Sequence, residues 1–196
     1  MNTFRSGRAH TDHRDRGAAL VELAIIAPLL ILLVFGILEF GLAFKNKLTI
    51  AHSANSAARI GSTIGTDPEA DMLILEAVEA GFNGLVNPTV VNHVDIYESD
   101  DAGNKLAFNR YFWDGASACH WNPCPDPAGT PVYGNPSGWG DPSNRDVVLD
   151  ADGLDTLGIE VAYTHTWVSG VLGFSPQNWS EHARVRLEPD VFGSGP

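Results

Sequence analysis

The stretch "RGAALVELAIIAPLLILLVFGILEF", Arg16 to Phe40, decides how the rest of the chain is read. Leu23 to Leu38 carry no charge and span about 24 Å as an α-helix, while Ala18 to Phe44 span about 40 Å. Those lengths bracket the roughly 30 Å hydrocarbon core of a bilayer, so the segment reads as one membrane-crossing helix. Glu22 and Glu39 then fall at opposite margins of the core. Pro28 removes one backbone hydrogen bond, to Ala24, which membrane helices tolerate when neighbours cover the gap.

Charge is distributed unevenly around this segment. Four arginines (Arg5, Arg8, Arg14, Arg16) and two aspartates precede Ala18, leaving 8 Lys+Arg against 22 Asp+Glu, a net of −14, behind them. Basic charge before an apolar run keeps the N-terminus cytoplasmic. The acidic remainder repels phosphate backbones, which argues against a nucleic-acid partner. Three readings of the segment follow: a plain anchor; a secretory signal cleaved after Ala43, where Gly41-Leu42-Ala43 supplies small residues; and a segment processed after Gly17. In the third, Ala18 becomes the mature N-terminus and Glu22 lies one helical turn along. A carboxylate at the lipid margin is costly unless it finds a cation or a proton. The new amine of a neighbouring helix supplies that cation, so Glu22 becomes a registration mark between helices packed side by side.

Gly17 followed by four small or apolar residues and Glu22 is similar to a type IV prepilin processing motif. The longer string "RGAALVELAIIAPLLILLVFGILEFG", with "NKLTIAHSANSAARIGSTIG" behind it and its Ala57-Ala58-Arg59 step, resembles the TadE/TadG-like pseudopilins of the tight-adherence (Flp) pilus system. The likeness covers positions 16 to 65 and, more loosely, the C-terminal strand ending in "RLEP". Leu23 stands where that family commonly has an aromatic residue. The resemblance implies a non-enzymatic assembly component. It would be anchored in the bacterial inner membrane with its C-terminal domain periplasmic or extracellular. Its partners would be pilin-like subunits, the assembly machinery and a prepilin peptidase, and it implies no cofactor. Gly17 and Ala18 would flank the scissile bond, and Glu22 would register the helix.

The expected organisation is a basic leader (1–17), a transmembrane helix (18–44) and an α+β domain (45–196) with a Gly/Pro-rich loop at about 114–145. The fold class is α+β and pilin-like, a long N-terminal helix continuing as a stem packed on a small antiparallel sheet. Leu48, Ala51, Asn55, Ala58 and Ser62 recur at helical spacing and extend the helix to about Ile60; the alternative is a short helix folded back on its domain. Gly61 and Gly65 then loosen the chain. Asp67 and Pro68 open a second helix, Glu69 and Asp71 suit its positive end, and Met72, Leu75, Val78 and Phe82 form its apolar face.

From Val90 the period becomes two, with Val94 and Ile96 toward the helix, a turn at "SDDAGNK" and a return strand "LAFNRYFW". A strand over Ile159, Val161, Tyr163 and His165 and a last one in "SEHARVRLEP" complete a sheet of three or four strands. Cys119 and Cys124, with His120 between them, are too few ligands for structural zinc and favour a local disulfide in a partly stapled surface loop.

No nucleophile elbow, P-loop, zinc-protease helix or dinucleotide fingerprint occurs. Asp150, Asp152 and Asp155 lack calcium-loop spacing. Two other classes stay open: a secreted module that holds a ligand with Trp113, Trp121, Tyr133 and Trp139, and an envelope enzyme of unrecognised type.

Overall fold

The computed structural model describes residues 13–85, 91–125, 138–148, 153–168, 170, 173 and 175–189. Helix α1 runs unbroken from His13 to Ile64, 52 residues with Pro28 inside it. Helix α2 spans Ala70–Ala80 and passes into a single 3-10 turn at Gly81–Gly84. Strands β1 (Val91–Ser99), β2 (Lys105–Trp113), β3 (Trp121–Asn122), β4 (Thr156–His165) and β5 (Gln177–Arg186) form one antiparallel sheet in the order β3-β2-β1-β4-β5. The architecture is the α+β class read from the sequence. The sheet has five strands rather than three or four, because Trp121 and Asn122, inside the Gly/Pro-rich loop, pair with Trp113 and Phe112 at its edge.

Alternation decides which face each strand buries. Val94 and Ile96 of β1, and Leu157, Ile159, Val161 and Tyr163 of β4, point to one side, where they meet α1 and α2. Ile74, Leu75 and Val78 of α2 close the core from above. The α1 face that packs there overlaps only in part with the one the spacing suggested: Ala58 and Ser62 are buried and Ala51 is half-buried. Leu48 and Asn55 are exposed, and the buried stripe runs through Ala43, Asn46, Ile50, Ala54, Ala57 and Gly61. Ala54, Ala57 and Gly61 are the residues that let the helix lie close, since a larger residue there would displace the sheet. Gly61 accordingly does not loosen the chain. A Cβ on it would stand 2.3 Å from Leu157 Cδ2 and 2.9 Å from Ile74 Cδ1, so only glycine fits where α1 crosses α2 and β4.

The other face of the sheet is open and polar. Arg110, Asp95, Glu160 and His182 form one cross-strand rung. Arg110 donates twice to Asp95 at 2.7 Å, and Lys105 bonds both Asp95 and Glu160. Burial opposes ionisation of Asp95, yet the hydrogen bonds from Arg110 and Lys105 outweigh it and hold the carboxyl below its ordinary range. Tyr97 lies over Gly158 on the same face, where a Cβ would meet its ring at 2.2 Å.

Helix α2 starts at Ala70, three residues after the expected cap. Asp67 Oδ1 instead accepts the Glu69 amide at 2.8 Å and shapes the turn that leads into the helix. Asp71 lies in the first turn of α2, as the sequence reading places it, and is also buried. It pairs with the Arg145 guanidinium and accepts from Tyr111 Oη (2.6 Å) and Asn109 Nδ2 (2.9 Å). Trp139 lies under Arg145, 4.4 Å from guanidinium carbon to ring centre. These bonds fasten the 138–148 segment to α2 and β2, so the later part of the 114–145 loop is tied into the core. The centre of that loop, with Tyr133, lies outside the described residues, as do Val90, Asp150, Asp152 and the leader before His13.

Removing one partner of a buried ion pair strands the other, which costs about 3–5 kcal/mol. Asp71→Ala should therefore lower the urea midpoint of the full chain in detergent far more than Asp71→Leu combined with Arg145→Leu, read by tryptophan emission. Equal losses would show that the pair contributes by packing alone.

Candidate functional site

The candidate segment is the N-terminal half of α1. Helical hydrogen bonding begins before Gly17, and Gly17, Ala18 and Glu22 all lie on its exposed surface. A Cβ on Gly17 would meet nothing within 4 Å. Glu22 is four residues beyond Ala18, about 6 Å along the axis and on the same face. The structure thus places the three residues together on one accessible stretch, with no other element over them among the described residues. A glycine inside a helix costs roughly 1 kcal/mol relative to alanine, so Gly17 marks a point where the helix opens with less resistance.

Apolar residues continue from here around the whole circumference. From Leu23 to Leu38 only Ala27 and Gly36 are even half-buried. One described helix is long and apolar enough to cross a membrane, and its apolar window has no part buried against the domain. A soluble helix shows one apolar stripe; a helix apolar on all sides and bare of its own domain is the pattern of a membrane anchor.

Sequence reasoning missed the junction at the far end of that window. Glu39 follows Leu38, the last residue of the uncharged apolar run, yet is only 2% exposed. Its Oε2 accepts the backbone N–H of Val168, in the β4–β5 connection, at 2.9 Å. The neighbouring Phe40 ring meets Trp167 edge-on with centroids 5.6 Å apart. Trp167 in turn packs edge-on against His165 (4.9 Å), and His165 stacks on Trp179 (5.2 Å). An aromatic column therefore joins the helix, just past its apolar span, to β4 and β5. The sequence signal was the second carboxylate closing the greasy run; its partner is 129 residues away and has no local signature.

Cys119 and Cys124 are joined by a disulfide, with their Cα atoms 6.0 Å apart. Between them His120 takes a positive φ of 61°, and its Nδ1 lies 2.7 Å from Glu79 Oε1 on α2. Trp113 and Trp121 are not displayed for a ligand. Trp121 is in the core, and Phe82 packs against Trp113 at 4.9 Å and against Trp121 at 6.2 Å. Trp139 is engaged with Arg145. Asp155 accepts the Asp146 amide at 2.7 Å. Among the described residues no three His, Cys, Asp or Glu side chains converge as metal ligands.

His165 supplies a pH test of the junction. Burial lowers its pKa from 6.5, opposed by the nearby Glu39 carboxylate, and neither ring nitrogen has a hydrogen-bond partner among the described residues. The unfolded chain binds the proton first, so the stability is fully present above about pH 6.5 and falls as pH drops toward the folded-state pKa. His93 behaves likewise, lowered by burial and by Arg110. Urea midpoints of the full chain in detergent should fall from pH 7 to about pH 5. His165→Phe should flatten that slope, leaving the part due to His93; an unchanged slope would remove His165 from the account.

No curated protein and no solved structure matches the chain. Residues 17–59 match the family described as TadE-like protein, a stretch that takes in Gly17, Ala18, Glu22, the apolar span, Glu39 and most of the stem. The chain therefore carries a TadE-like domain from Gly17 to Arg59, which bears out the resemblance read from its N-terminal sequence.

Proposed function

We propose that this protein is a membrane-anchored, pseudopilin-like component of tight-adherence pilus assembly or related secretion machinery. The observation that carries the reading is the TadE-like segment itself: an apolar helix exposed on every side, continuous with a stem packed on the sheet. Its work is assembly rather than catalysis. Helix 18–44 crosses the inner membrane with the leader cytoplasmic, and the domain from residue 45 stands on the far side. A prepilin peptidase cuts between Gly17 and Ala18, removing the arginine-bearing leader. The freed amine of one helix then compensates Glu22 of a neighbour, because an unpaired carboxylate at the lipid margin costs more than a charged pair there. Pilin-like subunits are the partners this arrangement fits.

Release of a secreted module by cleavage after Ala43 is less well supported. Ala43 is 3% exposed, inside a helix that continues without interruption into the core, so that cut would sever α1 between the Glu39 junction and Ile50.

Intact mass and N-terminal sequencing of the protein from membranes with and without prepilin peptidase test the proposal. The mature chain should begin at Ala18 only where the peptidase is present. Gly17→Val should leave it uncut, and Glu22→Gln should be cut normally yet lose assembly of the pilus. A chain that keeps Met1 regardless of peptidase would overturn the processing step, and a start at Phe44 would overturn the whole reading.

A further inference from the structure

We infer that Trp167 and Val168, just beyond the end of β4, are a second membrane contact, seated in the interfacial layer of the bilayer that α1 crosses. The inference rests on the anchoring reading above and extends it to a part of the chain far from the anchor in sequence. Residues 18–38 as a helix span about 31 Å, the thickness of a hydrocarbon core, so Glu39 and Phe40 stand at the lipid–water boundary. Val168 is held at that height by its amide bond to Glu39, and Trp167 by its edge contact with Phe40. Lys45 and Lys47, both exposed, lie one to two turns further along and mark the aqueous side.

The sequence around these two residues suits this depth. Thr166 to Asn178 contain no charged residue, in a chain whose part after Gly17 carries a net of −14. Val168 is 63% exposed. Trp167 Nε1 donates to the Ser175 carbonyl at 2.9 Å, so the indole keeps its polar edge satisfied, while its ring, packed between Phe40 and His165, stays half-exposed. Tryptophan concentrates at this level of membranes. Between Val168 and the helix is a groove of about 350 Å³ walled by Phe35, Ile37, Leu38 and Leu42, almost wholly apolar. It is continuous with the lipid-facing surface of the span, so the occupant we assign to it is a lipid acyl chain.

The consequence is orientational. A single spanning helix and the domain fixed to it can tilt and rotate together in the bilayer, whereas a second contact on one side fixes which face of the sheet looks along the membrane.

The test reconstitutes the full chain in phosphatidylcholine vesicles whose acyl chains carry bromine at shallow or deep positions. Bromine quenches nearby indoles. With five tryptophans in the chain, shallow bromines should remove up to about one fifth of the emission, more than deep bromines do. Trp167→Phe should abolish that loss. Val168→Asp, which keeps Trp167 and changes only an exposed side chain, should abolish it too while the protein still floats with the vesicles. Equal quenching of the wild-type chain and Trp167→Phe, with both floating, would overturn the inference and leave the anchor intact. Protection of Trp167 that grows with the protein-to-lipid ratio would assign the groove to a second copy of this chain and equally overturn it. A chain that does not float at all would instead sink the anchoring reading itself.

Discussion

One helix has to satisfy two solvents. α1 presents apolar side chains on all sides over its first half and, over its second, buries a stripe of small residues against the sheet. Backbone hydrogen bonds run continuously between the halves except where Pro28 lacks its N–H. A membrane span and a folded domain joined by a flexible linker move independently; joined by a shared helix they do not. The junction at Glu39 strengthens that coupling, because a buried carboxylate is costly unless something donates to it, and the Val168 amide does. The aromatic column from Phe40 through Trp167 and His165 to Trp179 carries the same constraint into the sheet.

A second polar cluster holds the opposite side of the domain. Asp71, Arg145, Asn109 and Tyr111 converge from α2, the 138–148 segment and β2. A buried ion pair adds little net stability over an apolar pair of the same shape, but it specifies where a segment without regular structure must lie. That is the use the fold makes of it: a Gly- and Pro-rich stretch with few apolar residues of its own is located by Arg145 together with Asn109, which bonds the Gly140 backbone. The exposed side of the sheet uses charges differently. The Arg110–Asp95–Lys105–Glu160 network covers backbone and aromatic surface that no helix covers.

Much of the fold and of the candidate segment could be read from the chain alone. The span, the long stem, the second helix, the hairpin and the two C-terminal strands all follow from periodicity, and Val94, Ile96, Ile159, Val161 and Tyr163 face the core as their alternation predicts. The errors share a cause. The stem face is read correctly at Ala58 and Ser62 but not at Leu48 and Asn55, because alanines, serines and glycines carry little hydrophobic contrast, so the period is weak just where close packing needs small residues. Gly61 reads locally as a helix breaker and is tertiary in purpose. Asp71 is placed correctly in the first turn of α2, but its distant partner Arg145 has no local signature. Trp121 in a loop-like composition looks displayed, and is core because two residues suffice to add an edge strand.

What the sequence determined by itself is the anchor: its length, its bare apolar surface, the acidic residues at its two ends and the glycine before it. Those are properties of consecutive residues, set by helix rise and transfer energy, and need no partner to be read. Only the tertiary structure decided which groups meet across the chain. Val168 reaches Glu39 from 129 residues away and Arg145 reaches Asp71 from 74. Such pairings depend on the path of the backbone through the sheet and helices, which no local pattern encodes.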